Sequence, residues 1–175
     1  MSTAVGTEAP TFTLPDTDGV EYGVGGPEFP PATLVVFTCN HCPYALAWHD
    51  RIAAVARDYS DVKVLAINSN DAERYPRDSF EAMRERVAGD GGWPMPYLHD
   101  ESQEVARAFD AKTTPDCFVI DAGGRIAYRG APDADHQDPS LNAAWLREAL
   151  DAVLAGSEPE RAETDPVGCS IKWKQ

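Results

Sequence analysis

A short apolar strand that leads directly into a helix is the feature that most limits how this chain can fold. Residues 33–37 (TLVVF) form a continuous apolar, β-branched run, which predicts a buried strand. Shortly afterwards Pro43 opens the segment ALAWHDRIAAVARDY, where apolar and charged residues alternate with helical spacing. Because proline is favoured in the first turn of a helix, Cys42 is predicted to be the N-cap residue. Cys42 should therefore lie at the carboxyl end of a central strand.

Predicted strands and helices alternate along the rest of the chain. Short apolar, β-branched runs predict the strands, and segments with apolar residues at helical spacing predict the helices. In chain order they are a strand at 62–68, a helix at 79–88, a short strand at 95–100, a short helix at 102–110 capped by Ser102, a strand at 117–121, an antiparallel return at 126–130 and a helix at 140–156. This order predicts an α/β domain with a mixed central sheet flanked by helices.

The length of 175 residues predicts one domain, with a body over residues 1–156 and a polar C-terminal tail, 157–175, that packs on it. Lys and Arg total 15 against 29 Asp and Glu, and the net charge of −14 argues against nucleic acid and anionic membranes as partners. No apolar run approaches the roughly 20 residues of a membrane-spanning helix. The first residues lack the basic and apolar regions of a secretory leader, so we expect a cytoplasmic protein.

The four cysteines are unevenly distributed, with Cys39 and Cys42 paired in CNHC and Cys117 and Cys169 alone. In a reducing compartment a close pair indicates redox or metal chemistry before structural cross-linking. Cys42 is the best candidate nucleophile, because the free N–H groups and the dipole of a helix N-terminus stabilise a thiolate. Cys39 could close a disulfide with Cys42, and His41 could add positive charge or relay a proton.

A metal site is the competing interpretation of the same motif. Cys39, His41 and Cys42, with Cys169 as a fourth candidate, supply ligand types that suit zinc. A single CxxC with one intervening histidine is nevertheless a weak zinc pattern, because it has no second CxxC or HxxxH to complete it. The sequence therefore favours redox chemistry, and we expect neither a bound metal nor an organic cofactor.

Three segments resemble proteins of the thioredoxin-fold superfamily. TTPDCFVIDAGGRIAYRG (113–130) is similar to the region in which a Thr-Pro with a cis proline faces the active cysteine, ahead of a strand and a hairpin. GTEAPTFTLPDTDGVEY (6–22) resembles the N-terminal hairpin of redoxins, and CNHCPYA with the C-terminal GCSIKWK is similar to a peroxiredoxin-like family. The chain is thus identified as a member of the peroxiredoxin-like (redoxin, AhpC/TSA-type) branch, which implies a thioredoxin-like fold with an N-terminal β-hairpin extension.

The resemblance also implies roles for individual residues. Cys42 takes the place of the nucleophilic cysteine of thioredoxins and, with Pro43, of the peroxidatic Cys-Pro of peroxiredoxins. Thr114 and a cis Pro115 should face it across the site. Cys39 replaces the threonine that peroxiredoxins carry at this point. Cys169 is a further resolving candidate if the tail folds over the Cys42 end of the sheet, and Arg129 is a candidate for the peroxiredoxin arginine.

The function expected from these features is that of a thiol-dependent oxidoreductase. Cys42 would attack a peroxide or a disulfide, and Cys39 or Cys169 would resolve the intermediate. Electrons would come from an external thiol reductant such as a thioredoxin, and an oligomer is compatible with the sequence. Because closing a three-residue loop costs little entropy, we expect oxidation to link Cys39 to Cys42 rather than Cys42 to Cys169. The alternative is a non-enzymatic binding or zinc-sensing module that uses Cys39, His41 and Cys42.

Overall fold

A computed structural model describes residues 3–175; Met1 and Ser2, which open the predicted body 1–156, lie outside the described residues. Within that range the strands are β1 (Phe12–Pro15), β2 (Glu21–Val24), β3 (Ala32–Thr38), β4 (Val62–Asn68), β5 (Tyr97–His99), β6 (Thr113–Thr114), β7 (Asp116–Asp121), β8 (Ile126–Gly130) and β9 (Cys169–Ser170). The α-helices are α1 (Pro43–Asp58), α2 (Phe80–Gly89), α3 (Glu104–Phe109) and α4 (Ala144–Leu154), and a 3-10 turn covers Pro76–Asp78.

The central sheet is mixed, as the sequence predicts. Its five strands follow the order β5-β4-β3-β7-β8. β3 runs parallel to β4 and antiparallel to β7, while β4 and β5 are parallel and β7 and β8 form an antiparallel pair. β1 and β2 form the antiparallel N-terminal hairpin that the resemblance implies. The loop that follows β3 therefore begins in the middle of the sheet.

The two faces of β3 belong to two different hydrophobic cores. Leu34 and Val36 point into a core that includes Trp48 of α1 and Leu146 of α4. Val35 and Phe37 of the same strand point into the opposite core, which contains Phe109 of α3. Because both faces are covered, β3 carries a continuous apolar sequence instead of an alternating one. This double burial fixes the end of β3, and so the start of the cysteine loop.

Two predicted helix starts differ from the structure. The predicted helix at 140–156 begins only at Ala144, because its N-cap residue Ala143 has a left-handed backbone with φ of 61°. The predicted cap Ser102 is replaced as N-cap by Gln103, also left-handed at φ of 66°. The Ser102 hydroxyl still accepts a hydrogen bond from the first N–H group of α3, and the carboxylate of Asp100 accepts from the next two.

The C-terminal tail returns to the carboxyl end of β3. Thr164 is bonded through its backbone to Arg129 of β8, and β9 then pairs antiparallel with β6, with Cys169 opposite Thr114. The buried side chain of Ile171 joins the core beneath. Across residues 3–175, every helix is too short or too polar to cross a membrane.

Candidate active site

The loop between β3 and α1 presents both cysteines of the pair at the start of a helix. Cys42 is the N-cap residue of α1, with extended backbone angles, and Pro43 is the first helical residue, as predicted. The backbone N–H of Ala45 points at the Cys42 sulfur. Cys39 and Cys42 are both fully buried. The sequence junction thus places a thiol at the positive end of the helix dipole, where an anion is stabilised.

The segment opposite Cys42 carries the predicted cis proline. The Thr114–Pro115 peptide bond is cis, which confirms that prediction. The Oγ1 of Thr114 lies 3.3 Å from the sulfur of Cys39, and the carbonyl oxygen of Thr114 lies 3.2 Å from the sulfur of Cys42. Thr114 therefore contacts both thiols of the CNHC motif. Its neighbour Pro115 is followed by Asp116, whose burial raises the pKa of its carboxyl to about 6.

Hydrogen bonding between the paired thiols separates their acidities. The pKa of Cys42 is lowered far below its ordinary value, first by a hydrogen bond from Cys39 and then by Cys169, the Ala45 N–H and Thr114, although burial opposes the shift. The pKa of Cys39 is raised, first by the same bond to Cys42 and then by burial. These opposite directions favour a proton on Cys39 and the negative charge on Cys42 in the reduced pair.

Cys169 completes a cluster of three thiols. Its β9 backbone is paired with Thr114, and its side chain packs against Cys39, Cys42 and Ala45. Burial and the hydrogen bond to Cys42 raise the pKa of Cys169 to about 11. The structure therefore brings Cys169 to the site, as the resemblance requires of a resolving cysteine. Which of the two neutral thiols pairs with Cys42 on oxidation stays a prediction.

A buried carboxylate that the sequence analysis did not identify holds the cysteine loop from behind. Asp78, in the 3-10 turn after β4, is fully buried. Its Oδ1 accepts a 2.7 Å hydrogen bond from the backbone N–H of Asn40 and a second bond from the side-chain amide of Asn68, and its Oδ2 accepts from the side-chain amide of Asn70. A charge in this position requires such partners, since an unpaired buried carboxylate is costly.

His41 faces the same carboxylate. Its Nδ1 lies 2.5 Å from Oδ2 of Asp78, a contact that becomes an ion pair when the imidazole is protonated. The ring stacks on Tyr75 at 5.7 Å between centroids. Three possible metal-ligand atoms, one each from Cys39, His41 and Asp78, lie within 4.8 Å of one another. The imidazole of His41 thus lies near the Cys39 sulfur, on the side of the loop that Asp78 holds.

Arg86 and Tyr97 fix the outer side of the loop and were also missed. The Nη1 of Arg86 donates to the Cys39 carbonyl oxygen and to Oδ1 of Asn40, each at 3.0 Å, and the guanidinium stacks over Trp93. The Tyr97 hydroxyl donates to the same Asn40 oxygen at 2.8 Å. The only sequence signal for this network is the polar run NSND (68–71), which begins at the last residue of β4, at the edge where β3 also ends.

Other sequence candidates lie outside the thiol cluster. Cys117 points into the core, as expected, and burial raises its pKa. Arg129 does not serve as the peroxiredoxin arginine: its guanidinium packs over Phe118 and donates to the carbonyl oxygens of Thr3 and Asp110. Its position on β8, on the far side of β7 from β3, directs it into these structural contacts.

A pH titration of the reduced protein should show the thiolate of Cys42 already at neutral pH. Because its folded-state pKa is depressed, Cys42 contributes stability that is fully present above its unfolded-state pKa, about 8.5, and is lost as the pH falls through the folded-state value. The pKa of Cys42 is measured as the pH dependence of the ultraviolet thiolate absorbance of wild type minus that of Cys42→Ser. A transition near the ordinary thiol value would contradict the nucleophile assignment.

Known proteins share the fold of this chain. An uncharacterized conserved protein from Geobacillus kaustophilus superposes with a TM-score of 0.91 at 39% identity, over 98% of this chain and 93% of that one. A putative thioredoxin from Neisseria meningitidis gives a TM-score of 0.67 at 25% identity, over 87% of this chain and 93% of that one. The methylamine utilization protein MauD of Methylorubrum extorquens is 30% identical over 141 residues, 79% of this chain but only 63% of MauD's own length. A profile of the AhpC/TSA family matches residues 5–129. The fold is therefore thioredoxin-like, and the chain belongs to the AhpC/TSA family, a redoxin-type branch of that fold.

Proposed function

We propose that this protein is a thiol-dependent oxidoreductase whose redox-active group is the Cys42 thiolate. The observation that carries the proposal is the place of the Cys42 sulfur: at the N-terminus of α1, beside Thr114, and in contact with the thiols of Cys39 and Cys169. A thiolate is the nucleophile of disulfide chemistry, and an adjacent thiol can convert its mixed disulfide into an internal one. The family and the fold support the same class of reaction.

Exchange with a disulfide RSSR proceeds in two displacements. RSSR reaches the buried Cys42 sulfur when the tail that carries Cys169 moves aside. The Cys42 thiolate then attacks one sulfur of RSSR, forms the Cys42–SR bond and releases RS⁻, which takes a proton. Cys39 then attacks the Cys42 sulfur, forms the Cys39–Cys42 bond and releases the second RS⁻. RSSR is reduced to two thiols and the cysteine pair is oxidised. Cys39 must lose its proton to attack, and the His41–Asp78 pair beside it is the proton acceptor.

The surroundings of Cys42 favour thiol–disulfide exchange over peroxide reduction. Cleavage of a peroxide is promoted by donors or positive charge at the departing oxygen. Here the nearby Arg86 donates to the Cys39 carbonyl and to Asn40, and Arg129 is engaged elsewhere. Cys39 also occupies the place of the peroxiredoxin threonine. A peroxide, with a sulfenic acid on Cys42 as intermediate, is the second substrate class within the proposal.

The reductant in this proposal is an external thiol, such as a thioredoxin. Nothing in the reaction above calls for an organic cofactor, because both electrons pass between sulfur atoms. A cytoplasmic location belongs to the same proposal, since a reducing compartment returns the cysteine pair to its dithiol form after each turnover.

The oxidised protein is expected to contain a Cys39–Cys42 disulfide. Joining residues three apart costs little loop entropy, and the two thiols are already hydrogen-bonded. Peptide mass mapping after one equivalent of hydroxyethyl disulfide should find this link in wild type and in Cys169→Ser. A link between Cys42 and Cys169 in Cys39→Ser, with Cys169→Ser left fully reduced, would make Cys169 the resolving thiol. Failure of Cys42 to enter any disulfide would overturn the proposed function.

Zinc binding is a second candidate because potential ligands do come together. Among residues 3–175, one group of three possible metal ligands has its ligand atoms within 4.8 Å of one another: Cys39, His41 and Asp78. Cys42 does not belong to this group. Asp78 already accepts three amide hydrogen bonds, and a metal would have to replace the His41 contact. The redox proposal therefore accounts for more of the geometry. Stoichiometric zinc in the purified reduced protein, lost in His41→Ala, would favour the metal site.

A further inference from the structure

The three clustered thiols differ in their exposure to solvent. The side chains of Cys39 and Cys42 are 0% exposed, whereas Cys169 is partly exposed. Because exchange needs contact between two sulfurs, an external molecule reaches Cys39 or Cys42 only after the tail moves, whereas it reaches Cys169 with the tail in place. In this conformation the only member of the cluster open to an incoming thiol is therefore Cys169.

The tail that carries Cys169 is held firmly over the site. The N–H of Ile171 donates to the Lys112 carbonyl, and the Lys172 carbonyl accepts from the Asp71 N–H and from the side-chain amide of Gln103. Gly168 also passes very close to the cis-proline segment: a Cβ there would lie 2.2 Å from the Thr114 carbonyl oxygen. A side chain at position 168 would push β9 away from β6. The tail is thus a built part of the site.

Cys42 lies between the other two thiols. Its sulfur interacts with both Cys39 and Cys169, and the hydrogen bonds that act on Cys39 come from Cys42, Thr114 and the His41 backbone. The Cys169 sulfur is therefore next to the Cys42 sulfur, so a disulfide can pass from the inner pair, Cys39–Cys42, to the outer pair, Cys42–Cys169.

We propose that Cys169 is the exchange thiol through which external thiols deliver electrons to the buried Cys39–Cys42 disulfide. This inference rests on the proposed redox function of Cys42. First, the Cys169 thiol gives up its proton and its sulfur attacks the Cys42 sulfur; a Cys42–Cys169 bond forms, the Cys39–Cys42 bond breaks, and the released Cys39 sulfur takes up that proton. Next, an external thiolate RS⁻ attacks the Cys169 sulfur and expels Cys42. A second RS⁻ then attacks the sulfur of R, which releases Cys169 and RSSR. Two thiols are oxidised and one protein disulfide is reduced.

The electrostatics of the site decide which sulfur of the Cys42–Cys169 disulfide the external thiolate attacks. Attack at Cys169 expels the Cys42 thiolate, which the helix N-terminus stabilises, whereas attack at Cys42 would expel a thiolate with no such support. A thiol of lower pKa leaves faster, and the pKa of Cys42 is the depressed one of the three. Accessibility and leaving-group ability thus select the same sulfur.

Re-reduction kinetics with 2-mercaptoethanol test the proposal. Wild type and Cys169→Ser are first oxidised, and only preparations whose peptide map shows the Cys39–Cys42 link are used. Cys169→Ser is expected to be reduced at least about tenfold more slowly than wild type. An equal rate would overturn the role of Cys169 while leaving the proposed function intact, whereas absence of the link in both proteins would overturn the proposed function itself.

A variant with a displaced tail tests whether the tail blocks the approach of an external thiol to Cys42. Gly168→Ala should move β9 and open the path to Cys42, so the double variant Gly168→Ala/Cys169→Ser is expected to regain at least about half of the rate lost in Cys169→Ser. Gly89→Ala is the matched control, because a Cβ there meets nothing within 4 Å. Combined with Cys169→Ser it should leave re-reduction slow. Equal rates for the two double variants would overturn the claim that the tail closes the site.

Discussion

Replacement of Cys42 by serine is expected to lower turnover with a small disulfide by at least about a thousandfold. The serine hydroxyl stays protonated where the cysteine is a thiolate. Burial still raises the pKa of Cys39 and of Cys169 in this variant, and neither residue is the N-cap of α1. Turnover is measured as the thiol-dependent reduction of hydroxyethyl disulfide. Residual activity within tenfold of wild type would show that another cysteine is the nucleophile.

Cys117→Ala is the matched control for this substitution. Cys117 is equally buried, but it lies in the core on β7, apart from the three-thiol cluster. Replacing it removes a sulfur without touching the thiolate, so turnover is expected to remain within about twofold of wild type. A comparable loss in Cys117→Ala would mean that the activity of Cys42→Ser reflects general damage to the fold.

The central part of the fold and the nucleophile could be predicted because their signals are local. The apolar run at 33–37 and the proline at 43 lie next to each other in the sequence, and together they determine a strand, a helix start and a thiol at that start. The cis proline at 115 followed from the resemblance of residues 113–130, which the structure confirms. These features need no knowledge of how distant segments meet.

The surroundings of the thiols could not be predicted, because they come from segments far apart in the chain. Asp78 belongs to a polar stretch between β4 and α2, and nothing in its neighbours marks it as a buried carboxylate. Cys169 lies in a polar tail whose return to β6 depends on contacts with Asn70, Gln103 and Lys112. In the folded state the tail is already ordered, because β9 is paired with β6, so the entropy of ordering it does not count against a Cys42–Cys169 disulfide.

Replacement of Asp78 by alanine is expected to cost about 3–5 kcal/mol of the free energy of unfolding. The change leaves the Asn40 N–H and the amides of Asn68 and Asn70 without their acceptor in a buried site, and each unsatisfied group carries a desolvation cost. Denaturant unfolding of the reduced protein measures the loss as a lower midpoint. Asp78→Asn, which keeps the volume and one oxygen acceptor, should lose less.

The control for Asp78 separates the buried network from the loss of a negative charge. Asp61→Ala removes a carboxylate at an exposed position before β4, and its free energy of unfolding should stay within about 0.5 kcal/mol of wild type. Since the chain carries a net charge of −14, loss of one exposed carboxylate can only relieve repulsion. If Asp78→Ala were as stable as Asp61→Ala, the carboxylate would not hold the Asn40 loop, and the position of His41 beside Cys39 would need another support. A large loss in Asp78→Ala alone instead ties the stability of this end of the sheet to the same group that positions the proton acceptor.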